Sequence, residues 1–308
     1  MLEISAVIPT YNRKKILKRV LFSLFKQDFL KNRYEIIVVD DGSSDRTEEM
    51  IKDVMSVVPQ GLSLRYYYQE NRGPAATRNL GIKMARGEVI LLLGDDIIAE
   101  ENLLEEHMKI HKSTDEDIAV LGYVTWAPEI KRTPFLRYLM KRGLDFQYQL
   151  INDPESVSYK HFYTCNISVR KNFLIDNGFF DENFRKAIWE DIDLGYRLTK
   201  RGLKIKYNSE AIGYHYHSTT VLSRCRLIYQ SGFYSTIIEQ KHPGILQIPT
   251  LPKMSLKEHI KDCYYSVMVH PISILDYHFG LNLPWFYARL LDYYKFKGMR
   301  KGLDSRIT

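Results

Sequence analysis

GEVILLLGDDIIAEE, residues 87–101, is the stretch on which the reading of this chain turns. Val89 to Leu93 is an unbroken apolar run, the pattern of a strand covered on both faces. It stops at Gly94, Asp95 and Asp96. Two neighbouring carboxylates at the end of a buried strand repel one another unless a cation lies beside them. In an open α/β sheet, ligands bind just outside the carboxyl ends of the strands. The segment is therefore expected to carry a divalent metal to a phosphate. The plainer alternative is a solvated turn ahead of a helix over about 100–111, because Asp serves both turns and caps.

Upstream, Ile4 to Ile8 reads as a strand that stops at Pro9, with Thr10 to Arg13 as a polar loop. A helix over about 13–26 places Leu17, Val20, Leu21, Leu24 and Phe25 on one face. Tyr34 to Val39 is a second buried strand ending in Asp40 to Asp45, and Asp45 with Glu48 has the spacing of a capping box. Leu62 to Tyr68 is a third strand. Asn71 to Pro74 is a turn opening a helix that carries Arg78 and Asn79. The first 125 residues thus alternate strand and helix, which predicts an α/β fold with a mostly parallel sheet and helices on both faces. In such a sheet the polar clusters at 10–13, 40–45 and 94–96 converge on one edge.

Downstream, residues 126–160 have no clean period and read as an excursion beside a cleft. Phe162 to Val169 is a strand candidate. Trp189 to Arg201 is a helix closed by Gly202. Leu203 to Tyr207 and Ala211 to Tyr216 are short strands, followed by a helix over about 220–241. A proline-containing linker over 243–252 leads to helices expected at Ser255 to Val269 and Pro284 to Lys295.

The composition, 45% apolar and 26% charged over 308 residues, is that of a soluble globular protein. Cys165, Cys225 and Cys263 lack metal-ligand spacing and are expected as reduced thiols in a cytoplasmic setting. No secretory leader and no membrane-spanning run is visible. The net charge of +7 is concentrated in residues 241–308, which hold ten Lys/Arg against five Asp/Glu. No basic stripe or recognised module points to nucleic acid.

Several residues suit chemistry on a charged ligand. One of Asp40 and Asp41 can hold the turn, leaving the other to accept hydrogen bonds from a nucleotide base. Arg78 has the fork that binds phosphate or a planar base edge. Glu190 and Asp191 sit at a helix amino end, where the dipole favours the ionised form and is expected to hold the pKa low. A base that takes a proton from a sugar hydroxyl must be ionised. His215 and His217 share one face of a strand and suit manganese as well as zinc. Each also has an ordinary structural reading as turn, solvated helix charge or buried histidine.

In joint order these stretches resemble glycosyltransferase family 2: VIPTYNR at 7–13, VVDDGSSD at 38–45, GPAATRNLGI at 73–82, LLLGDDI at 91–97 and WEDIDLGYRL at 189–198. The resemblance covers about residues 4–240 and implies a nucleotide-sugar-dependent, inverting enzyme of GT-A fold. It implies a catalytic domain over 1–240, with a nucleotide half to 125 and an acceptor half from 126, and a helical extension over 241–308. Pro9, Thr10, Tyr11 and Arg13 match the loop lining the nucleoside, Asp41 the carboxylate reading the base, and Arg78 the basic residue near base and phosphate. Asp96 matches the direct metal ligand of the family's D-x-D and Asp95 its middle position. Asp191 matches the catalytic base, with Glu190 beside it. His215 resembles a further metal ligand, with His217 the weaker choice. Asn166 and Trp189 fall where donor or acceptor sugar approaches.

Two departures stand out. Gly94 replaces the first aspartate of D-x-D, and Ala187 and Ile188 stand where many members carry glycine. The resemblance implies Mn²⁺ or Mg²⁺ as cofactor. It implies a nucleoside-diphosphate sugar donor, with UDP favoured, and a glycan or lipid-linked acceptor. A dehydrogenase or nucleotidyltransferase would need a glycine-rich loop after the first strand, where this chain has Pro9-Thr10-Tyr11-Asn12. A nucleotide-binding scaffold without chemistry is the remaining alternative. The basic, aromatic tail is expected either to touch an anionic membrane through 253–308, on the cytoplasmic side, or to pack on the domain or a second copy.

Overall fold

The computed structural model describes residues 2–246, 248, 249, 251 and 255–305. Strands β1 (Ile4–Thr10), β2 (Tyr34–Asp40), β3 (Ser63–Tyr68) and β4 (Val89–Leu93) run parallel, linked by α1 (Lys14–Phe25), α2 (Thr47–Met55) and α3 (Pro74–Met84). Their apolar runs serve two cores. Ile8, Val38 and Leu91 face α1 and α2, while Val7, Ile37 and Leu92 face α3. Alternate residues of a strand point to opposite faces, so a sheet covered on both sides needs such largely apolar runs.

The sheet continues with β5 (Ile97–Ala99), α4 (Leu103–Lys112), β6 (Ile118–Trp126), β7 (Asn166–Arg170), α6 (Lys171–Asn177), α7 (Glu190–Lys200) and β8 (Lys204–His215). The helix α5 (Pro134–Arg142) lies between β6 and β7 in the chain. The eight strands take the order β3-β2-β1-β4-β7-β6-β8-β5. The half with β1 to β4 is parallel as expected. β7 enters antiparallel between β4 and β6, making the other half mixed.

Local expectations shift in several places, among them the last helix, which runs to Asp304 and not Lys295. Asp45 forms no capping box: its carboxylate accepts from Lys14 N–H at 3.0 Å and Thr47 Oγ1 at 2.6 Å, and Arg46 is the cap residue in a left-handed conformation. The strand expected from Phe162 begins at Asn166, because Tyr159–His161 is a short 3₁₀ turn. The two strands expected over 203–216 are one, β8, with a register shift opposite Gly122/Tyr123 that absorbs Ser209-Glu210-Ala211. The helix expected to end at Val269 runs to Phe279 as α9 (Leu256–Phe279), through Pro271. Pro271 is exposed, so the carbonyl it leaves without a partner can turn to water.

The chain forms two compact units, residues 1–130 with 146–217, and 131–145 with 218–308. The second holds α5, α8 (Val221–Lys241), α9 and α10 (Pro284–Asp304). Its core includes Phe135, Leu139, Val221, Cys225, Ile272 and Tyr287. The break falls after residue 217, not 240, because α8 packs along α10. The backbones approach so closely that a Cβ on Gly298 would collide with the Tyr229 carbonyl, and one on Gly232 with that of Lys295. The linker expected over 243–252 lies partly outside the described residues. Cys165, Cys225 and Cys263 form no disulfide. Among the described residues no helix is long and apolar enough to cross a membrane.

Candidate active site

The carboxyl ends of β1, β2 and β4 lie side by side, and their polar clusters meet. Thr10 Oγ1 donates to Asp95 Oδ2 at 2.8 Å. Arg13 Nη1 bonds Asp95 Oδ1 at 3.2 Å and also Asp96 Oδ2. One guanidinium thus supplies the positive charge that two adjacent carboxylates need. Burial and the charge of Asp96 push Asp95 up to about 6, against the pull of Arg13 and Thr10. Burial acts on Asp96 too, but His215 and Arg13 outweigh it and hold this carboxyl well below its ordinary range. Asp96 is therefore the more acidic of the pair.

His215 reaches this edge through pairing that the sequence does not display. β5 begins directly after Asp96 and pairs antiparallel with β8, setting Ile97 opposite His215. Tyr216 N–H donates to the Asp96 carbonyl at 2.8 Å. This ladder leaves His215 Nε2 3.3 Å from Asp96 Oδ2. The Trp126 ring lies 4.8 Å from the His215 ring and the His217 ring 5.6 Å from it.

Among the described residues no three His, Cys, Asp or Glu side chains converge as a metal cluster. Asp96 and His215 form a two-donor set. Gly94 explains the missing third: a Cβ there would meet Asp96 Oδ1 and Ile97 Cγ1, each at 3.0 Å. Magnesium and manganese sites commonly use one or two carboxylates and complete their shells with phosphate and water. The donors present fit a cation shared with a diphosphate.

Asp41 N–H donates to the Thr10 carbonyl at 2.9 Å. Its buried carboxylate accepts from Gln69 Nε2 at 2.7 Å, Arg72 N–H at 2.8 Å and Gly73 N–H at 2.9 Å. The expected freedom of Asp41 is narrowed, because Oδ1 takes two of these bonds and Oδ2 one. Asp40 holds the turn, accepting from Ser43 N–H and the Tyr66 hydroxyl. Pro9 lies inside β1 beside Val39, and the Tyr11 ring is half exposed.

Arg78 does not open to solvent. Its Nη1 pairs with Glu190 Oε1 at 2.8 Å, both groups being buried, and its guanidinium lies over the Phe180 ring. Trp189 precedes α7 with φ 71°, a left-handed conformation strained for an aromatic residue. Glu190 and Asp191 then open the helix. Burial, and next the charge of Glu190, push Asp191 up to about 7. The expectation of a low pKa is thus corrected: exclusion from water and a neighbouring carboxylate outweigh the helix dipole. Glu190 is raised as well, by burial, against Arg78.

Asn166 is also corrected. It has no exposed surface. Its Oδ1 bonds His107 Nε2 at 2.9 Å and its Nδ2 donates to the carbonyls of Ala211 at 2.9 Å and Tyr123 at 3.3 Å. Its polar atoms are engaged within the protein, where it braces the irregular part of β8 that leads to His215. Cys165, beside it, carries no site signal in the sequence. Burial, and then the charges of Asp96 and Asp191, raise its thiol. Only the antiparallel entry of β7, with Gly94 N–H donating to the Cys165 carbonyl at 3.1 Å, brings it beside Gly94.

A parallel half, a mixed half and an acidic edge where they meet define the GT-A class of fold. The chain superposes on the crystal structure of S. aureus TarS 1-349 in complex with UDP, with TM-score 0.58, 19% identity and coverage of 98% of this chain and 92% of that one. It also superposes on the mannosyltransferase PcManGT from Pyrobaculum calidifontis in complex with GDP-Man and Mn2+, with TM-score 0.63, 16% identity and coverage of 98% and 87%. Residues 5–177 match glycosyl transferase family 2, and the chain belongs to that family. It is 27% identical over 242 residues to chondroitin synthase of Escherichia coli, covering 69% of this chain and 34% of that protein. It is 27% identical over 255 residues to the uncharacterized glycosyltransferase YfnE of Bacillus subtilis, covering 68% and 64%. The chain thus spans from about a third to just under two thirds of the length of these two relatives.

Proposed function

We propose that this chain transfers a sugar, with inversion, from a nucleoside-diphosphate sugar to a hydroxyl of a glycan or lipid-linked acceptor. UDP-sugars are the favoured donors, Asp191 is the general base, and Mn²⁺ or Mg²⁺ assists. The observation that carries the reading is that the polar ends of β1 and β4 and the end of β8 meet, with Thr10 and Arg13 on Asp95 and with Arg13 and His215 on Asp96. Family membership and the UDP- and GDP-Man-bound fold relatives support a nucleotide-sugar donor. The Mn2+ named for PcManGT supports a divalent cation.

The residues divide the work by position. Thr10, Tyr11 and Asp41 line the nucleoside end, with Pro9 setting the backbone before them. Asp95, held by Thr10 and Arg13, sits beside the ribose, and Asp96 with His215 would hold the cation. That cation, when bound, neutralises charge growing on the leaving diphosphate. Arg13 already bridges Asp95 and Asp96, and is placed to pass to the phosphates once the carboxylates are otherwise engaged. Arg78 fixes Glu190, which stiffens the turn at Trp189 that presents Asp191. Asp191 takes the acceptor proton as the acceptor oxygen bonds the anomeric carbon and the bond to the diphosphate breaks. Attack opposite the leaving group inverts the configuration.

The test is a thermal-shift screen of nucleoside-diphosphate sugars with and without Mn²⁺, followed by product analysis with the stabilising donor. One donor should stabilise the chain more with the metal than without, and turnover should release a nucleoside diphosphate. Asp191→Asn should keep the donor-induced shift while turnover falls roughly 10²–10⁴-fold. Near-normal turnover in that variant would remove Asp191 from its role, and release of pyrophosphate would make the chain a nucleotidyltransferase instead.

A further inference from the structure

In the second unit, α9 is packed on one side only. Val269, Ile272 and Asp276 are buried, with α5, α8 and α10 as neighbours. Leu256, Ile260, Tyr264, Val267 and Ile274 remain 49–79% exposed. At 3.6 residues per turn these five fall within an arc of about 80° along about 27 Å of helix. A surface helix of a globular protein turns its polar side outward; α9 turns an apolar stripe outward instead.

The charges of α9 are sorted as well. Its three acidic residues lie off the stripe and are engaged: Glu258 with Arg300 at 3.3 Å and Asp262 with Lys297 at 2.6 Å, both partly exposed, and the buried Asp276 accepting from Phe135 N–H at 2.8 Å. The exposed borders of the stripe carry Lys257 and Lys261 on one side, and His259 and His270 on the other. The outer face is therefore apolar with a basic rim and no carboxylate.

We propose that this face of α9 docks in the plane of an anionic lipid bilayer. The stripe would enter the boundary between headgroups and acyl chains while the lysines meet lipid phosphates. A second copy is the poorer occupant: stripe against stripe brings the lysine rims together, and the nearby carboxylates, Glu258 and Asp262, are already paired with Arg300 and Lys297. The inference rests on the second unit alone and stands apart from the transfer chemistry.

The test is flotation of the full chain with vesicles of phosphatidylcholine, with and without about 30% phosphatidylglycerol, at low and high salt. The chain should float with the anionic vesicles and partition about tenfold less onto neutral ones, or at ~0.5 M salt. Ile260→Glu with Val267→Glu should reduce partitioning at least about tenfold at an unchanged melting temperature, since both side chains are exposed. Lys257→Glu with Lys261→Glu should abolish the preference for anionic lipid. Failure of the wild-type chain to float, or equal flotation of the Ile260/Val267 variant, overturns the proposal. So does a dimer, seen by light scattering, that the Ile260/Val267 variant dissociates, because the occupant would then be a second copy.

Discussion

Asp191 carries two opposed demands. A general base works best when its pKa lies near the working pH, and burial beside Glu190 brings this carboxyl up to about 7. The same environment disfavours the charged form in the folded chain. A carboxyl whose folded pKa is raised destabilises the fold as pH climbs through that value, and does so little below its unfolded value. Asp191→Asn is therefore expected to melt about 2 °C or more above the wild type at pH 8, with the gain vanishing towards pH 4, in paired calorimetric scans. In the wild type, kcat/KM should fall about tenfold per pH unit below about 7. A flat profile between pH 5 and 7 would mean that another group takes the proton.

At the scale of elements, the β4–β5 turn and α4 decide how the edge is held. Gly94 leaves room beside Asp96 Oδ1 that a methyl group would contest at 3.0 Å. Gly94→Ala should weaken metal-dependent donor binding roughly tenfold by titration calorimetry with Mn²⁺. Asp96→Ala should abolish the metal dependence altogether. From α4, His107 and His111 meet at Ser168, at 2.9 and 2.8 Å. Burial lowers His107 to about 4 and His111 to about 3. Their folded pKa values lie below the unfolded value of 6.5, so stability present above pH 6.5 is lost as pH falls towards 4 and 3. Each neutral histidine can contribute a slope of up to about 1.4 kcal/mol per pH unit in that window. His111→Gln should reduce the loss of urea stability between pH 7 and 5; an unchanged slope would place the acid sensitivity elsewhere.

At the scale of the whole molecule, each of the two units has its own apolar core. In the helical unit the contact of α8 with α10 depends on backbone approach at Gly232, Gly298 and Gly302. A side chain at Gly298 would strike the Tyr229 carbonyl, which cannot move without breaking α8. Gly298→Val is therefore expected to cost about 3 kcal/mol or more, read as earlier melting and faster proteolysis within 218–305. Wild-type melting in that variant would show that the helices separate without penalty.

By itself the sequence determined the parallel half of the sheet and most of the acidic edge. Ile4 to Ile8, Tyr34 to Val39 and Val89 to Leu93 are apolar at every position but Ser5 and Glu35, which bond one another, because both faces of those strands are covered, and their ends are marked by Thr10, Asp41 and Asp96. Such signals are local, so they are legible in a single chain. Tertiary structure alone decided the rest. The antiparallel entry of β7 buries Asn166 and brings in Cys165, and the β5–β8 ladder sets His215 against Asp96. The commitment of Asp41 to Gln69 and Gly73, the pairing of Arg78 with Glu190, and the raised pKa of Asp191 were equally out of reach. Register and burial depend on partners distant in the chain, and a carboxyl's pKa is set by the water and charges that those partners exclude or supply.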